Sequence, residues 1–152
     1  MKRSHSAAKM HRRFEIAKRA FCGILRVDMT RNLFAYGTLL VPEIWEAVAG
    51  ESFHTECATL KGFNIRRVKG AEFPGITPGD ESVCGRVFFE IDELTLAKLD
   101  AYEDTFYVRQ EIEAELENGS AVVADSYVVP AEVADEILSA DLWTLEDYEA
   151  NR

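Results

Sequence analysis

Short apolar segments separated by glycine, proline and polar turns make up the chain from Asn32 onward. The runs at 32–36, 58–68 and 83–91 predict β-strands, because each is brief and is bounded by turn residues. None of the apolar runs approaches the roughly 18 to 20 residues that a membrane-spanning helix needs. The pattern therefore favours a β-rich fold and argues against a membrane protein.

Turn signals define the remaining strands. Apolar and polar residues alternate after Tyr107, and the turn 117–120 leads into a returning segment, 121–129, which Pro130 closes. This arrangement predicts a β-hairpin. Segment 73–79 contains two prolines and two glycines, so we expect it to be a loop or turn.

Three further segments predict short helices. Residues 42–48 begin with Pro42 and are followed by Gly50, an arrangement typical of the two ends of a helix. A second helix is expected at 92–102 and a third at 131–140. The predicted fold class is therefore α+β, with a single compact domain and a few short helices.

The length of the chain fits one domain. Its 152 residues, 47% of them hydrophobic, are enough for one globular core. We divide the chain into a basic N-terminal extension (1–30), a main domain (31–130) and an acidic, helical C-terminal extension (131–152).

Charge is distributed unevenly along the chain. Residues 1–31 hold nine of the 17 Lys and Arg residues and two of the 27 Asp and Glu residues, so the rest carries eight bases against 25 acids. Such an acidic body repels the phosphate backbone and anionic lipid, so we expect no nucleic-acid partner.

The basic leader does not resemble an export signal. A secretory signal needs about 7 to 15 consecutive apolar residues, whereas Lys18, Arg19 and Arg26 interrupt the one apolar patch here. We therefore expect a cytoplasmic protein. Two interpretations of the leader stay open: an arm that folds back on the acidic body, or an upstream extension with the working protein starting at Met29.

Neither the cysteines nor the histidines predict a metal site. The cysteines are odd in number and widely spaced, which argues against a disulfide framework or a zinc site: Cys22, Cys57 and Cys84. The histidines show no metal-ligand or catalytic-triad spacing: His5, His11 and His54.

One carboxylate is aligned with the apolar residues of the helix predicted at 92–102. Asp92 is a suitable N-cap for that helix. Leu96, Leu99 and Glu103 are spaced so that they lie along one face. Glu103 would then be partly desolvated, although a solvated position beyond the helix end is the alternative. Asp100 and Asp104 are expected at the surface.

Five motifs in this order resemble the gamma-glutamylcyclotransferase-like family. They are Tyr36-Gly-Thr-Leu39, Phe73-Pro-Gly-Ile76, Val83-Cys-Gly-Arg-Val87, Leu99-Asp-Ala-Tyr-Glu103 and Tyr107-Val-Arg109. Their spacing is most similar to the plant avirulence-induced-gene-like branch and its bacterial relatives. The resemblance extends from about Leu33 to Val129.

The resemblance implies a compact domain with a mixed, β-barrel-like sheet and an enzyme that needs no metal, nucleotide or other cofactor. Members release an amine or amino acid from a γ-glutamyl compound while the glutamyl part cyclises to 5-oxoproline. Carried over to this sequence, Glu103 is the catalytic acid/base. The substrate-binding loop is formed by Tyr36, Gly37, Thr38 and Leu39.

These residue types suit that chemistry. The α-amino group of the substrate has a pKa of about 8 and is mostly protonated near neutral pH, so it must lose a proton before it can attack the γ-carbonyl. A glutamate whose pKa is raised toward roughly 6 to 7 can take that proton and later supply one to the leaving nitrogen. Gly37 permits close approach of backbone amides to a carboxylate or an oxyanion.

Further candidates and a second function remain open. Tyr107 and Arg109 point away from the face that holds Ile112, so either could line the pocket, with Tyr107 as a hydroxyl partner of the substrate. Arg66 and Arg67 could attract a carboxylate, although a solvated strand face is the simpler account. The alternative function is a non-catalytic domain that binds a small acidic metabolite in the same pocket.

Overall fold

The structure is a computed structural model, and it describes residues 29–152 of the chain. This part contains five strands and four short α-helices. The strands are β1 (Thr30–Ala35), β2 (Thr55–Arg67), β3 (Pro74–Asp92), β4 (Val108–Leu116) and β5 (Ala121–Val128). The helices are α1 (Pro42–Ala49), α2 (Glu93–Tyr102), α3 (Ala134–Ile137) and α4 (Leu145–Ala150). The predictions for the leader and for Cys22 concern residues outside the described part.

The strands close into one mixed barrel in the order β1-β3-β2-β4-β5. Neighbouring strands are antiparallel except where β5 meets β1, with Leu33 opposite Asp125, and where it meets the start of β3, with Ile76 opposite Val128. The α+β, barrel-like fold class is therefore confirmed. The predicted hairpin is confirmed as well, since β4 and β5 pair along their lengths and Gly119 adopts a positive φ in the turn between them.

The prediction of a loop at 73–79 is wrong. Residues 74–79 belong to a 19-residue strand, β3, and residues 74–78 pair with the end of β2; only Phe73 lies outside it. Both prolines occupy positions that a strand tolerates: Pro74 is its first residue, and Pro78 borders the irregularity in pairing around Gly62. Pairing between distant segments therefore outweighs the local turn signal.

Alternation along β1 separates two apolar cores. Phe34 and Tyr36 pack inside the barrel, whereas Leu33 and Ala35 face a second core formed with α1 and α2. In that second core the Trp45 ring stacks on Phe88 at a centroid distance of 3.9 Å. Burial on both faces fixes β1 in place, and the cavity described below forms where β1 ends.

The helix predictions at 42–48 and 92–102 are confirmed. Gly50 ends α1 in the left-handed conformation, and the Asp92 carboxylate accepts a 2.7 Å hydrogen bond from the Thr95 amide at the start of α2. The helix predicted at 131–140 is shorter, because regular helix ends at Ile137 and Leu138 then forms a β-bridge with Val68.

The C-terminal residues pack on the barrel. Trp143 is 7% exposed, and its indole N–H donates a 2.8 Å hydrogen bond to the carbonyl of Glu72. Cys57 and Cys84 are free thiols on exposed strand positions. Within residues 29–152, none of the helices is long and apolar enough to cross a membrane.

Candidate functional site

A small cavity lies where β1 ends, between the barrel and the start of β3. It has a volume of about 30 Å³. Residues 33–39 form most of its wall, and the other contributors are Phe73, Pro74, Glu103 and Tyr127. The cavity therefore joins the Tyr-Gly-Thr-Leu motif to the glutamate that follows α2, two segments more than 60 residues apart in the sequence.

The first wall is a sharp turn out of β1. The phenol of Tyr36 is buried and donates a 2.6 Å hydrogen bond to the carbonyl of Tyr127. At Gly37 a Cβ atom would lie 3.0 Å from the Pro74 ring, so glycine permits this close approach. Thr38 begins a 3-10 turn, Thr38–Leu40, and Leu39 is buried against α1 and α2. The turn is thus anchored on both sides of the cavity.

Glu103 is held at the C-terminal end of α2. Leu96 and Leu99 are buried, and the amide of Glu103 donates a 3.2 Å hydrogen bond to the Leu99 carbonyl. The φ and ψ angles of Glu103 are extended, so the chain leaves the helix at this residue. Helix packing and this terminal hydrogen bond therefore direct Glu103 to the cavity wall.

Tyr107, the other residue predicted to bind substrate, is not among the described residues that line the cavity. Its hydroxyl donates a 2.5 Å hydrogen bond to the carbonyl of Pro74, which does line it. Its ring packs on Phe106 at a centroid distance of 4.6 Å. In this conformation Tyr107 supports the cavity wall through Pro74.

The Glu103 carboxylate raises the pKa of three tyrosines in and beside the cavity. Burial raises the pKa of Tyr36 well above its ordinary value, and the nearby Tyr107 and Glu103 raise it further. Burial likewise raises the pKa of Tyr127, with Asp100 and Glu103 adding to the effect. The pKa of Tyr107 is raised by burial and by Glu103 and Asp104. All three phenols therefore stay protonated near neutral pH.

An ion-pair network lies next to the cavity and was missed from the sequence. The prediction that Asp100 lies at the surface is wrong. Its side chain is 18% exposed and binds both Arg109 and the Tyr127 hydroxyl. Arg109 also contacts Asp125, which is 4% exposed. Burial alone would lower the pKa of Arg109, but the hydrogen bonds to Asp100 and Asp125 raise it overall. The pairing register of β4 with β5, which places Arg109 opposite Tyr127, is the feature that would have indicated this network.

The remaining candidates are committed to other partners. Arg66 forms a two-point ion pair with Glu81, and Arg67 pairs with Asp141. His54 contacts Glu56 at 2.9 Å. Across residues 29–152, clusters of three or more His, Cys, Asp or Glu residues that could hold a metal ion are absent.

A larger groove of about 510 Å³ lies elsewhere, on the strands near the β4–β5 turn. Cys57, Cys84, Glu115 and Glu117 line it. Its two glutamates disfavour an anionic ligand, and neither Glu103 nor the turn after β1 contributes to it.

Fold and cavity together define a small α+β barrel protein with a cavity at the end of β1. Among the described residues that line this cavity, one carries a carboxylate: Glu103, at the end of a helix. Residues 33–149 match the family model described as gamma-glutamyl cyclotransferase, AIG2-like, and the chain belongs to this family. The resemblance read from the five sequence motifs is therefore confirmed.

Individual relatives agree with this assignment. AIG2-like protein D of Arabidopsis thaliana is 31% identical over 90 residues, which cover 59% of this chain and 59% of that protein. The alignment thus spans less than two thirds of that relative's length.

Solved structures share the fold. A solution structure of an Arabidopsis thaliana protein is similar with a TM-score of 0.67 and 24% identity, covering 84% of this chain and 77% of that one. A structure titled gamma-glutamyl cyclotransferase has a TM-score of 0.57 and 21% identity, and the match covers 66% of each chain. At these identities the likeness concerns the fold.

Proposed function

We propose that this chain is a γ-glutamyl cyclotransferase-type enzyme that uses Glu103 as its general acid/base. One observation carries the proposal: the titratable groups among the described cavity residues are Tyr36, Tyr127 and Glu103, and the pKa of both tyrosines is raised. Glu103 is therefore the lining side chain that can accept a proton near neutral pH.

The proposed reaction converts a γ-glutamyl amide to 5-oxoproline and a free amine. Glu103 removes a proton from the substrate α-ammonium group, and the amine then attacks the γ-carbonyl carbon of the same molecule. The bond from that carbon to the leaving nitrogen breaks as Glu103 returns the proton to that nitrogen. The ring nitrogen then gives its second proton to the released amine, so 5-oxoproline keeps one N–H and the amine departs as an ammonium ion. Every atom of the substrate is recovered in the two products, so the cycle needs no cofactor.

The turn after β1 suits the negatively charged parts of the substrate. Residues 37–39 line the cavity opposite Glu103, and amide groups at the start of a short helical turn have no partners within that turn. We propose that they bind the substrate carboxylate or the oxyanion of the tetrahedral intermediate. Holding a folded glutamyl chain in attack geometry would contribute several kcal/mol of barrier reduction, on the order expected for an intramolecular reaction.

The cavity must widen to admit such a substrate. Its volume of about 30 Å³ holds only water-sized groups. The hydroxyl of Thr38, a residue that lines the cavity, lies 3.3 Å from the hydroxyl of Tyr102, which is 39% exposed. We propose that the cavity widens at Thr38, through movement of Thr38 relative to Tyr102.

The test is a panel of γ-glutamyl amino acids, γ-glutamylamines and glutathione, with 5-oxoproline measured by mass spectrometry. We expect turnover of at least one class. Glu103→Gln should lower kcat by about 10²- to 10⁴-fold, the usual contribution of a general acid/base.

Asp104→Asn is the matched control, because Asp104 carries the neighbouring carboxylate but does not line the cavity. It should retain most of the activity. A panel without turnover, or equal activity of Glu103→Gln and the parent, would refute the mechanism. Binding of a γ-glutamyl compound without turnover would instead support the non-catalytic alternative.

A further inference from the structure

Carboxylates are concentrated at the C-terminal end of α2. Asp100 lies in its last turn, and Glu103 and Asp104 follow directly. The last turn contains no basic residue of its own, although the helix dipole is negative at this end and repels carboxylates. A cation supplied from elsewhere in the fold would therefore stabilise this turn.

Arg109 on β4 supplies that cation. Its Nε and Nη2 atoms donate to the two carboxylate oxygens of Asp100 at 2.8 and 3.2 Å. Its Nη1 atom donates to the buried Asp125 of β5 at 2.5 Å. The planar guanidinium thus ties the end of α2 to two strands at once, which a lysine ammonium does not reproduce.

The contacts of Asp100 extend to the cavity. Its Oδ1 atom also accepts a 2.7 Å hydrogen bond from the Tyr127 hydroxyl, and Tyr127 lines the cavity. Glu103, on the same wall, follows Asp100 by three residues, about one helical turn. Arg109 is therefore linked to two cavity residues without lining the cavity itself.

We propose that Arg109 is a positioning residue for this site, which fixes Glu103 and Tyr127 through Asp100. The proposal rests on the proposed function, because the geometry it protects is that of the acid/base. In this proposal Arg109, from the Tyr107-Val-Arg109 motif, does not contact the substrate. It supports the residues that line the cavity.

Arg66 provides a matched control. It also forms a two-point ion pair with one carboxylate, and its side chain is 23% exposed against 26% for Arg109. Arg66 is not among the cavity residues. Comparing Arg109→Lys with Arg66→Lys therefore separates loss of a two-point ion pair from loss of site geometry.

The experiment measures kcat and KM for both lysine variants and for Arg109→Gln. We expect Arg109→Lys to lower kcat by about 10- to 100-fold, since misplacement of a catalytic group by about 1 Å has effects of this order. KM should change far less, and Arg66→Lys should retain the kcat of the parent. Equal kcat values for the two lysine variants would overturn the proposal.

Carbon NMR of the Glu103 side-chain carboxyl gives a readout that needs no turnover. Arg109→Lys keeps the positive charge but loses the two-point contact with Asp100. If Arg109 positions Glu103, the pH midpoint of the Glu103 carboxyl in Arg109→Lys should differ from that of the parent, whereas Arg66→Lys should keep the parent midpoint. If Arg109→Gln does not fold, the comparison of the two lysine variants still decides. An unchanged midpoint in Arg109→Lys would overturn the proposal, whereas an inactive parent with a shifted midpoint would refute only the cyclotransferase function.

Discussion

The phenol of Tyr36 donates a 2.6 Å hydrogen bond to the carbonyl of Tyr127, a residue 91 positions later in the chain. Both groups are buried, so Tyr36→Phe leaves that carbonyl without its donor. We expect the free energy of unfolding to fall by about 1 to 3 kcal/mol. Urea denaturation would measure the loss, and Tyr148→Phe, which removes a hydroxyl from the outer helix α4, should change stability by no more than about 0.5 kcal/mol.

Gly85→Ala should be strongly destabilising. A Cβ atom at this position would lie 2.2 Å from the Ala35 carbonyl oxygen and 2.8 Å from the Phe34 ring. Because one contact is to backbone, relief requires β1 and β3 to separate, and we expect a loss of about 3 kcal/mol or more.

Gly62→Ala provides the contrast. Gly62 has a φ of 88°, but nothing lies within 4 Å of an added Cβ. Its cost should be limited to left-handed backbone strain of about 1 to 2 kcal/mol. Equal losses in the two alanine variants, measured by urea denaturation, would contradict the packing argument.

Stability should fall steeply in alkali. The pKa values of Tyr36, Tyr107 and Tyr127 are raised in the folded protein by burial first and by neighbouring groups second. Above about pH 10 the unfolded chain therefore loses protons that the folded chain retains, so unfolding becomes more favourable as pH rises.

Above pH 10, each of these tyrosines lowers the free energy of unfolding by about 1.4 kcal/mol per pH unit. Below pH 10 it has no such effect. Free energies of unfolding measured on both sides of pH 10 would show the change. Tyr107→Phe should reduce the slope by one tyrosine, and an unchanged slope in that variant would contradict the assignment.

Trp143 should hold the C-terminal residues on the barrel. Replacing this buried ring by alanine removes its packing and its hydrogen bond to Glu72, and we expect a loss of about 3 to 5 kcal/mol. Limited proteolysis with mass spectrometry should show cleavage after residue 138 in Trp143→Ala before the barrel is cut. Trp143→Phe, which keeps a ring, should resist cleavage better than the alanine variant.

Local sequence signals predicted much of the fold. Pro42 and Gly50 delimit α1, Asp92 caps α2, and apolar alternation on both sides of Gly119 gives the hairpin, because each signal acts within a few residues. The start of β3 was not predictable in this way. Its prolines indicate a turn, and only pairing with β2 makes residues 74–78 a strand.

Some residues of the candidate site were likewise predictable from the sequence, and others were not. Its turn after β1 and Glu103 belong to short motifs that could be recognised in the sequence. Tyr127 and Asp100 could not be placed, since their contact depends on the register of β4 with β5 and on the way α2 packs against both. An aspartate in a chain with 27 acidic residues gives no local indication that it is buried.

The parallel contact of β1 with β5 determines when the cavity can form during synthesis. Ser126 donates a 2.9 Å hydrogen bond to the Phe34 carbonyl, 92 positions earlier, so the strand that carries the cavity turn is flanked by β5, the last of the strands in residues 29–152. A growing chain that lacks β5 leaves one edge of β1 unpaired, and such edges bind other chains. Shielding of the nascent polypeptide until Val128 has emerged from the ribosome should therefore govern how much folded protein a cell obtains.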